Sequence, residues 1–148
     1  MMNRWALSAC IAALAAAATG CSSSQPPEYQ PPPGELIPGT AQVTVNGQDV
    51  GTTDTVHCTA TGPLTTIASG DEASGISALI GSEDELVVKE VGIRDLGGFT
   101  GSYNAGLGGE ATVEMAGRTY AINGTAYGFE TANPSFRTSG TFEIKVAC

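Results

Sequence analysis

The segment Thr141-Phe142-Glu143-Ile144-Lys145-Val146-Ala147-Cys148 alternates apolar and polar side chains almost without interruption. Successive side chains of a β-strand point to opposite faces, so Phe142, Ile144, Val146 and Cys148 share one face. This period-two pattern predicts a strand with one buried face. Because the same pattern recurs through most of the chain, it determines the predicted fold class.

The composition also favours β structure. The chain has 148 residues with 20 Gly and 8 Pro, and charged residues make up only 14%, which argues against a helical bundle and allows one domain. The net charge is -9, because 15 Asp and Glu outnumber 6 Lys and Arg. Nucleic-acid binding needs clustered Lys and Arg, so the acidity argues against it. It also argues against a domain that lies flat on an anionic lipid surface.

From residue 40 onward, short alternating runs are separated by turn signals. Asn46-Gly47 predicts a hairpin turn, and Ala116-Gly117 predicts another. We expect an all-β domain of about eight short strands, arranged as an antiparallel sandwich or barrel. One short helix has room near 71–79 or 83–86. The runs are 41–45, 56–59, 64–68, 76–80, 87–93, 99–103, 111–115, 120–122 and 142–146.

Residues 1–20 have the features of a secretory signal peptide. Arg4 supplies the positive charge, and the run 5–18 is uncharged and mostly apolar. A transmembrane helix needs about 20 apolar residues, so this run is short for one. We therefore predict that residues 1–20 are removed and exclude them from the folded domain.

Cys21 is the predicted site of lipidation. Ala18-Thr19-Gly20 places small residues directly before Cys21, and 22–24 is a serine tract, which is similar to a bacterial lipobox. The position three residues before the cysteine is Ala18, where Leu is usual. In such signals the thiol is acylated and the chain is cut before it. The alternative is an ordinary signal peptide cut near 16–18, but that alternative does not explain the cysteine.

Residues 21–39 form the predicted linker between the lipidated cysteine and the domain at 40–148. Six prolines lie between positions 25 and 39. Proline fixes φ and removes a backbone donor, so this segment should be a semi-rigid, polyproline-like spacer.

The remaining cysteines predict one disulfide. Cys10 leaves with the signal peptide and Cys21 is acylated, so Cys58 and Cys148 remain in an oxidising, exported context. Both are in phase with apolar neighbours and should point inward. In the chain-entropy model, a link closing a loop of this length stabilises by roughly 4–5 kcal/mol. A catalytic Cys58–His57 pair is excluded, because adjacent strand residues point to opposite faces.

The sequence contains no constellation that favours an enzyme. His57 is the only histidine, which is weak support for a metal site. The acidic run 83–85 lacks the spacing of a calcium loop and is better explained as a solvated turn. No nucleophile elbow, phosphate loop or dinucleotide fingerprint is present. We therefore predict a protein without catalytic residues, metal or cofactor.

The aromatic residues allow two interpretations. They supply most of the large apolar area in a domain otherwise built from Val, Ile, Ala and Gly, so the simpler interpretation is core filling. The functional interpretation is an apolar cavity for a lipid or another hydrophobic molecule, with the frequent strand glycines leaving room for it. The candidate cavity residues are Phe99, Tyr103, Tyr120, Tyr127, Phe129 and Phe142.

Several blocks together resemble a known family. The lipobox at Cys21 and the low-complexity spacer are followed by Val43-Thr44-Val45-Asn46-Gly47, then by the block 120–126 and by the final strand 142–148. Asn133-Pro134 adds to the likeness. In this order they resemble the mycobacterial LpqH-type lipoprotein antigens, the "nineteen-kilodalton" antigen family, over the whole chain from Cys21.

The resemblance implies a lipid-anchored protein on the outer face of an actinobacterial cell membrane. It implies recognition by host Toll-like receptor 2 through the acylated Cys21, and a ligand-transport role has been suggested for the family. Two hypotheses therefore remain for the domain. A carrier of a hydrophobic ligand predicts a cavity of a few hundred cubic ångströms. An adhesin or structural envelope protein predicts a solid core.

Overall fold

A computed structural model describes residues 24–148 of the chain. The predicted signal peptide 1–20 and the predicted lipidation site Cys21 lie outside the described residues. Ten β-strands form within the described range, so the predicted all-β fold is confirmed. The strands are β1 (Ala41–Val45), β2 (Gln48–Thr53), β3 (Val56–Thr61), β4 (Leu64–Gly70), β5 (Gly75–Gly81), β6 (Val87–Leu96), β7 (Phe99–Asn104), β8 (Ala111–Ala116), β9 (Thr119–Glu130) and β10 (Arg137–Ala147).

The short helix considered from the sequence does not form. Residues 71–74 make a turn in which the Asp71 carboxylate accepts backbone N–H groups of Ala73 and Ser74, both at 2.8 Å. Residues 75–81 then continue as β5, and 82–86 is irregular. Between residues 24 and 148, no helix is long and apolar enough to cross a membrane.

Two predicted turns set the register of their hairpins. Asn46 and Gly47 have φ values of 51° and 76°, as a two-residue hairpin turn between β1 and β2 requires. Gly117, at φ 57°, helps to turn the chain from β8 into β9. The expected hairpins at both positions are therefore present.

All paired strands are antiparallel, in the order β2-β1-β10-β9-β7-β6-β5-β4-β3. The long strand β9 has two different neighbours along one edge. Its first half pairs with β8, from Ala111 opposite Gly124, and its last residues pair with β7, up to Phe99 opposite Glu130. The sheet thus divides at β9 and curves into a nearly closed barrel.

The core lies inside this curved sheet and is almost entirely aliphatic. Phe99 and Phe142 are the largest fully buried side chains. At roughly 25 cal/mol per Å² of buried apolar surface, these contacts are the main favourable term in folding. The buried cluster consists of Ala41, Val43, Val45, Ile67, Ile76, Ala78, Ile80, Val88, Val91, Ile93, Phe99, Tyr103, Ile122, Ala126, Phe142, Ile144 and Val146.

The predicted Cys58–Cys148 disulfide is present, with a Cα–Cα distance of 5.9 Å. It joins β3, at one end of the strand order, to the residue that follows β10. The expected burial of Cys58 is wrong. Cys58 lies opposite the buried Ile67 and so shares the core-facing side, but it is exposed because only β4 flanks β3.

Candidate functional site

The Phe99 ring fills the space that the strand glycines leave in the core. A Cβ added at Gly101 would lie 2.6 Å from the ring, and one added at Gly140 would lie 2.9 Å from it. Carbon atoms do not approach this closely, so both positions need glycine for the ring to fit. These glycines therefore accommodate a side chain of the protein itself.

Phe142 occupies a second such place. A Cβ at Gly124 of β9 would lie 2.7 Å from the end of the Phe142 ring, and Phe142 is only 1% exposed. The two phenylalanines and their glycines form what we call the aromatic core: Phe99, Phe142, Gly101, Gly124 and Gly140. The room that the glycine content suggested for a ligand is filled at these positions.

The other candidate cavity residues are divided between the two faces of the sheet. Tyr120 packs against the core, and Tyr103 is 8% exposed and lies at its edge. Tyr127 is 52% exposed and Phe129 is half-buried, and in β9 they alternate with the buried Ala126. The structure therefore does not bring the six aromatic residues together around one space.

The sequence already contained the signal that separates them. Tyr120 is an even-numbered residue of β9, whereas Tyr127 and Phe129 are odd-numbered, so a regular strand places them on opposite faces. Alternation within β9 therefore predicts that Tyr120 does not share a cavity with Tyr127 and Phe129.

Tyr103 lies in a surface cleft between β6 and β8. The cleft has a volume of about 530 Å³. Its walls mix apolar side chains with Glu85 and Lys89. It lies near the place where pairing along β9 changes from β7 to β8. The apolar side chains that line it are Leu86, Val87, Val88, Ala105, Ala111 and Val113, together with Tyr103.

A smaller space, which we call the seam slot, lies between β2 and the β4–β5 hairpin. Its volume is about 110 Å³, and Val43, Val50, Ile76 and Leu96 supply its apolar walls. Ser69 also lines it, and nothing in its local sequence distinguishes this residue from other strand serines. Ser69 is 4% exposed, and its hydroxyl oxygen has no hydrogen-bond partner in the described part of the chain.

His57 and the acidic residues are the side chains that a metal site would need, and the absence of such a site stays a prediction. His57 is exposed on β3, and residues 24–148 contain no group of three or more His, Cys, Asp or Glu that could hold a metal. The pKa of Asp71 is lowered, because the backbone N–H groups of Ser74 and Ala73 donate to its carboxylate and the Arg94 guanidinium lies nearby. This carboxylate stabilises the turn at residues 71–74.

The end of the proline-rich linker is attached beside the end of β10. The Leu36 N–H donates to the Thr119 hydroxyl at 2.9 Å, and the Gly39 N–H donates to the Ala147 carbonyl at 2.9 Å. The side chain of Glu35 lies close to the turn residue Gly117. Any anchor on the N-terminal side is therefore joined to the domain near Cys148 and the β8–β9 turn.

Comparison with known proteins identifies relatives along most of the chain. Residues 34–148 match the family model described as "Mycobacterium 19 kDa lipoprotein antigen". A protein named "Putative lipoprotein" from Mycobacterium indicus pranii is 36% identical, with 93% of this chain and 94% of that protein covered.

Proteins named "Lipoprotein LpqH" give similar matches. The one from Mycobacterium avium is 38% identical, with 72% of this chain and 67% of that protein covered. The one from Mycobacterium tuberculosis is 37% identical, with 75% and 72% covered. The resemblance inferred from the sequence is thus confirmed, and this chain belongs to the mycobacterial 19 kDa lipoprotein antigen family.

Proposed function

We propose that this chain is a lipoprotein of the cell envelope, held on the outer face of the membrane by acyl chains on Cys21. The observation that carries the proposal is Cys21 itself, which follows an apolar run and small residues in a chain of a lipoprotein family. Each buried CH₂ of an acyl chain contributes about 0.8 kcal/mol to membrane binding, and one chain alone holds weakly, so we expect multiple acylation.

The proposed anchor places the β domain at a distance from the membrane. The residues from Cys21 to Pro32 span up to about 34 Å at 3.1 Å per residue of polyproline-like chain. The chain then turns, and the Glu35 N–H donates to the Pro32 carbonyl at 3.0 Å. After loss of Arg4 with the signal peptide, 5 basic and 15 acidic residues remain, a net charge of -10. Anionic headgroups repel such a domain, so its outer surface stays available to partners.

We further propose that the protein acts through its acylated N-terminus, with host Toll-like receptor 2 as the receptor, and through the exposed surface of the domain. The aromatic core supports an adhesin or structural role over carriage of a lipid inside the barrel. Phe99 and Phe142 are 0% and 1% exposed, and the glycines beside them leave no room for a ligand.

A pair of cysteine variants tests the anchor. Cys21→Ser should remove the acyl chains, as the mass of the purified protein reports, and abolish signalling in cells that express the receptor. Cys10→Ser is the matched control, because Cys10 lies inside the predicted signal peptide, and it should change neither result. Acyl chains on the Cys21→Ser variant, or signalling by that variant at the wild-type level, would refute the proposal.

The β6–β8 cleft supports a second candidate function, binding of a hydrophobic ligand at the surface. Its 530 Å³ lies in the usual range for ligand pockets, and Tyr103 and Val113 lie in its walls. Val113→Trp should fill the cleft and reduce the lipid that co-purifies with the protein, whereas Met115→Trp, at an exposed position of the same strand, should not. Equal lipid content in both variants and the wild type would remove this candidate.

A further inference from the structure

The seam slot combines apolar walls with one polar group that lacks a partner. It is separate from the aromatic core and from the β6–β8 cleft. Its walls come from three parts of the fold: Val43 and Val50 from β1 and β2, Ile76 from β5, and Leu96 from the end of β6. Ser69 lies on the core-facing side of β4, in phase with the buried Ile67 and opposite Ile76.

The Ser69 hydroxyl gives the slot a chemical preference. A buried hydroxyl without a hydrogen bond is unfavourable, and such groups are rare in folded proteins. Ser69 is only 4% exposed, yet its hydroxyl oxygen contacts no donor or acceptor in residues 24–148. A bound molecule with one hydroxyl or carbonyl group would satisfy it, while the rest of that molecule remained in contact with apolar side chains.

The volume limits the size of that molecule. An apolar cavity of about 150 Å³ holds benzene, with six carbon atoms. The seam slot, at about 110 Å³, therefore fits about four or five carbon atoms. Thr53 and Ser74 supply part of its polar lining, next to the corner where the Gly70 N–H donates to the Thr55 hydroxyl at 3.1 Å.

We propose that the seam slot is a binding site for a short aliphatic compound of four or five carbons with one hydroxyl or carbonyl group, which hydrogen-bonds to Ser69. Protein atoms cover the Ser69 oxygen almost completely, so the hydrogen bond forms only when β2 separates from the β4–β5 hairpin. The sheet does not hydrogen-bond these two elements to one another. The proposal does not depend on the acyl anchor or on the receptor.

The test is a titration of the purified full chain with 1-butanol in lipid-free buffer, monitored by backbone amide NMR. We expect saturable shifts centred on Val50, Ser69 and Ile76. Ser69→Ala should weaken the affinity about fivefold, the usual effect of one hydrogen bond. Ser77→Ala is the matched control, because Ser77 lies on the opposite face of β5, and it should bind as the wild type does.

Val50→Phe, which places a larger side chain in the slot, provides a second variant and should abolish the saturable shifts. Absence of saturable shifts in the wild type would overturn the proposal, since it indicates a slot that admits only water. An unchanged affinity in Ser69→Ala would also overturn it. So would an unchanged affinity in a folded Val50→Phe protein.

Discussion

Strands β10 and β3 both alternate in sequence and are joined by the disulfide, but they are buried to very different extents. Phe142, Ile144 and Val146 of β10 are at most 1% exposed. Cys58 and Ala60, on the core-facing side of β3, remain exposed. The period-two pattern is present in both strands, so the difference has another cause.

That cause is the place of each strand in the sheet. β10 lies between β1 and β9 and is paired with both, whereas β3 is the last strand and is paired with β4 alone. Alternation therefore predicts which side chains share a face, and the neighbours of the strand decide how much of that face is buried. It follows that packing stabilises β10 and that the disulfide stabilises β3.

The largest effect is expected from removing the disulfide. The double variant Cys58→Ser/Cys148→Ser should lose about 4–5 kcal/mol of unfolding free energy, because the link closes a loop between residues 90 positions apart. Urea denaturation measures the loss, and amide exchange should accelerate in β3 far more than in β10. Thr61→Ser in the same strand is the control. Equal acceleration in β3 and β10 would contradict the comparison.

The next effect tests packing in the core beside β10. Phe99→Ala should cost about 3–5 kcal/mol, because it leaves a cavity between Gly101 and Gly140. Tyr127→Ala, at a half-exposed position of β9, should cost far less. A similar loss in both variants, measured by urea denaturation, would show that the aromatic core does not form as described.

A smaller effect is expected from adding one methyl group to β10. Gly140→Ala should cost about 1–3 kcal/mol, because the new Cβ meets the buried Phe99 ring. In a Phe99→Leu background the same substitution should cost less, which a double-mutant cycle measures. Ser139→Ala, on the exposed face, is the matched control. Identical costs in both backgrounds would mean that the ring does not lie against Gly140.

The smallest effect concerns a turn at the β4–β5 corner. Hydrogen bonds from Ser74 and Ala73 lower the pKa of Asp71 in the folded state. Its contribution to stability is thus present above the pKa of an unfolded aspartate and is lost as the pH falls through the folded value. Asp71→Asn should reduce the loss of Tm between about pH 5 and pH 2. Glu72→Gln is the control, and an unchanged acid dependence in Asp71→Asn would refute the assignment.

Local sequence features predicted the fold class and its covalent link well. Asn46-Gly47 determines a hairpin turn through two positive φ values, and elimination of the other cysteines left Cys58 and Cys148 to pair. Both predictions depend on features within a few residues or on simple counting. Neither requires knowledge of which strands become neighbours.

The site features depend on long-range packing, which the sequence does not show directly. Gly101 and Gly140 are 39 positions apart, and only the fold places both against Phe99. Ser69 is an ordinary serine in an alternating run, and only the fold shows that its hydroxyl is buried without a partner in residues 24–148. To predict whether the six aromatic residues line one cavity, the strand order is needed as well as the residue types.

The anchor at Cys21 is the central claim about function, and the intact mass of the membrane-extracted protein tests it most directly. Denatured but unreduced protein should have the mass of a chain beginning at Cys21 with added acyl chains, less the two hydrogen atoms lost in the Cys58–Cys148 disulfide. A chain that begins at another residue, or one that begins at Cys21 without acyl groups, would contradict the account.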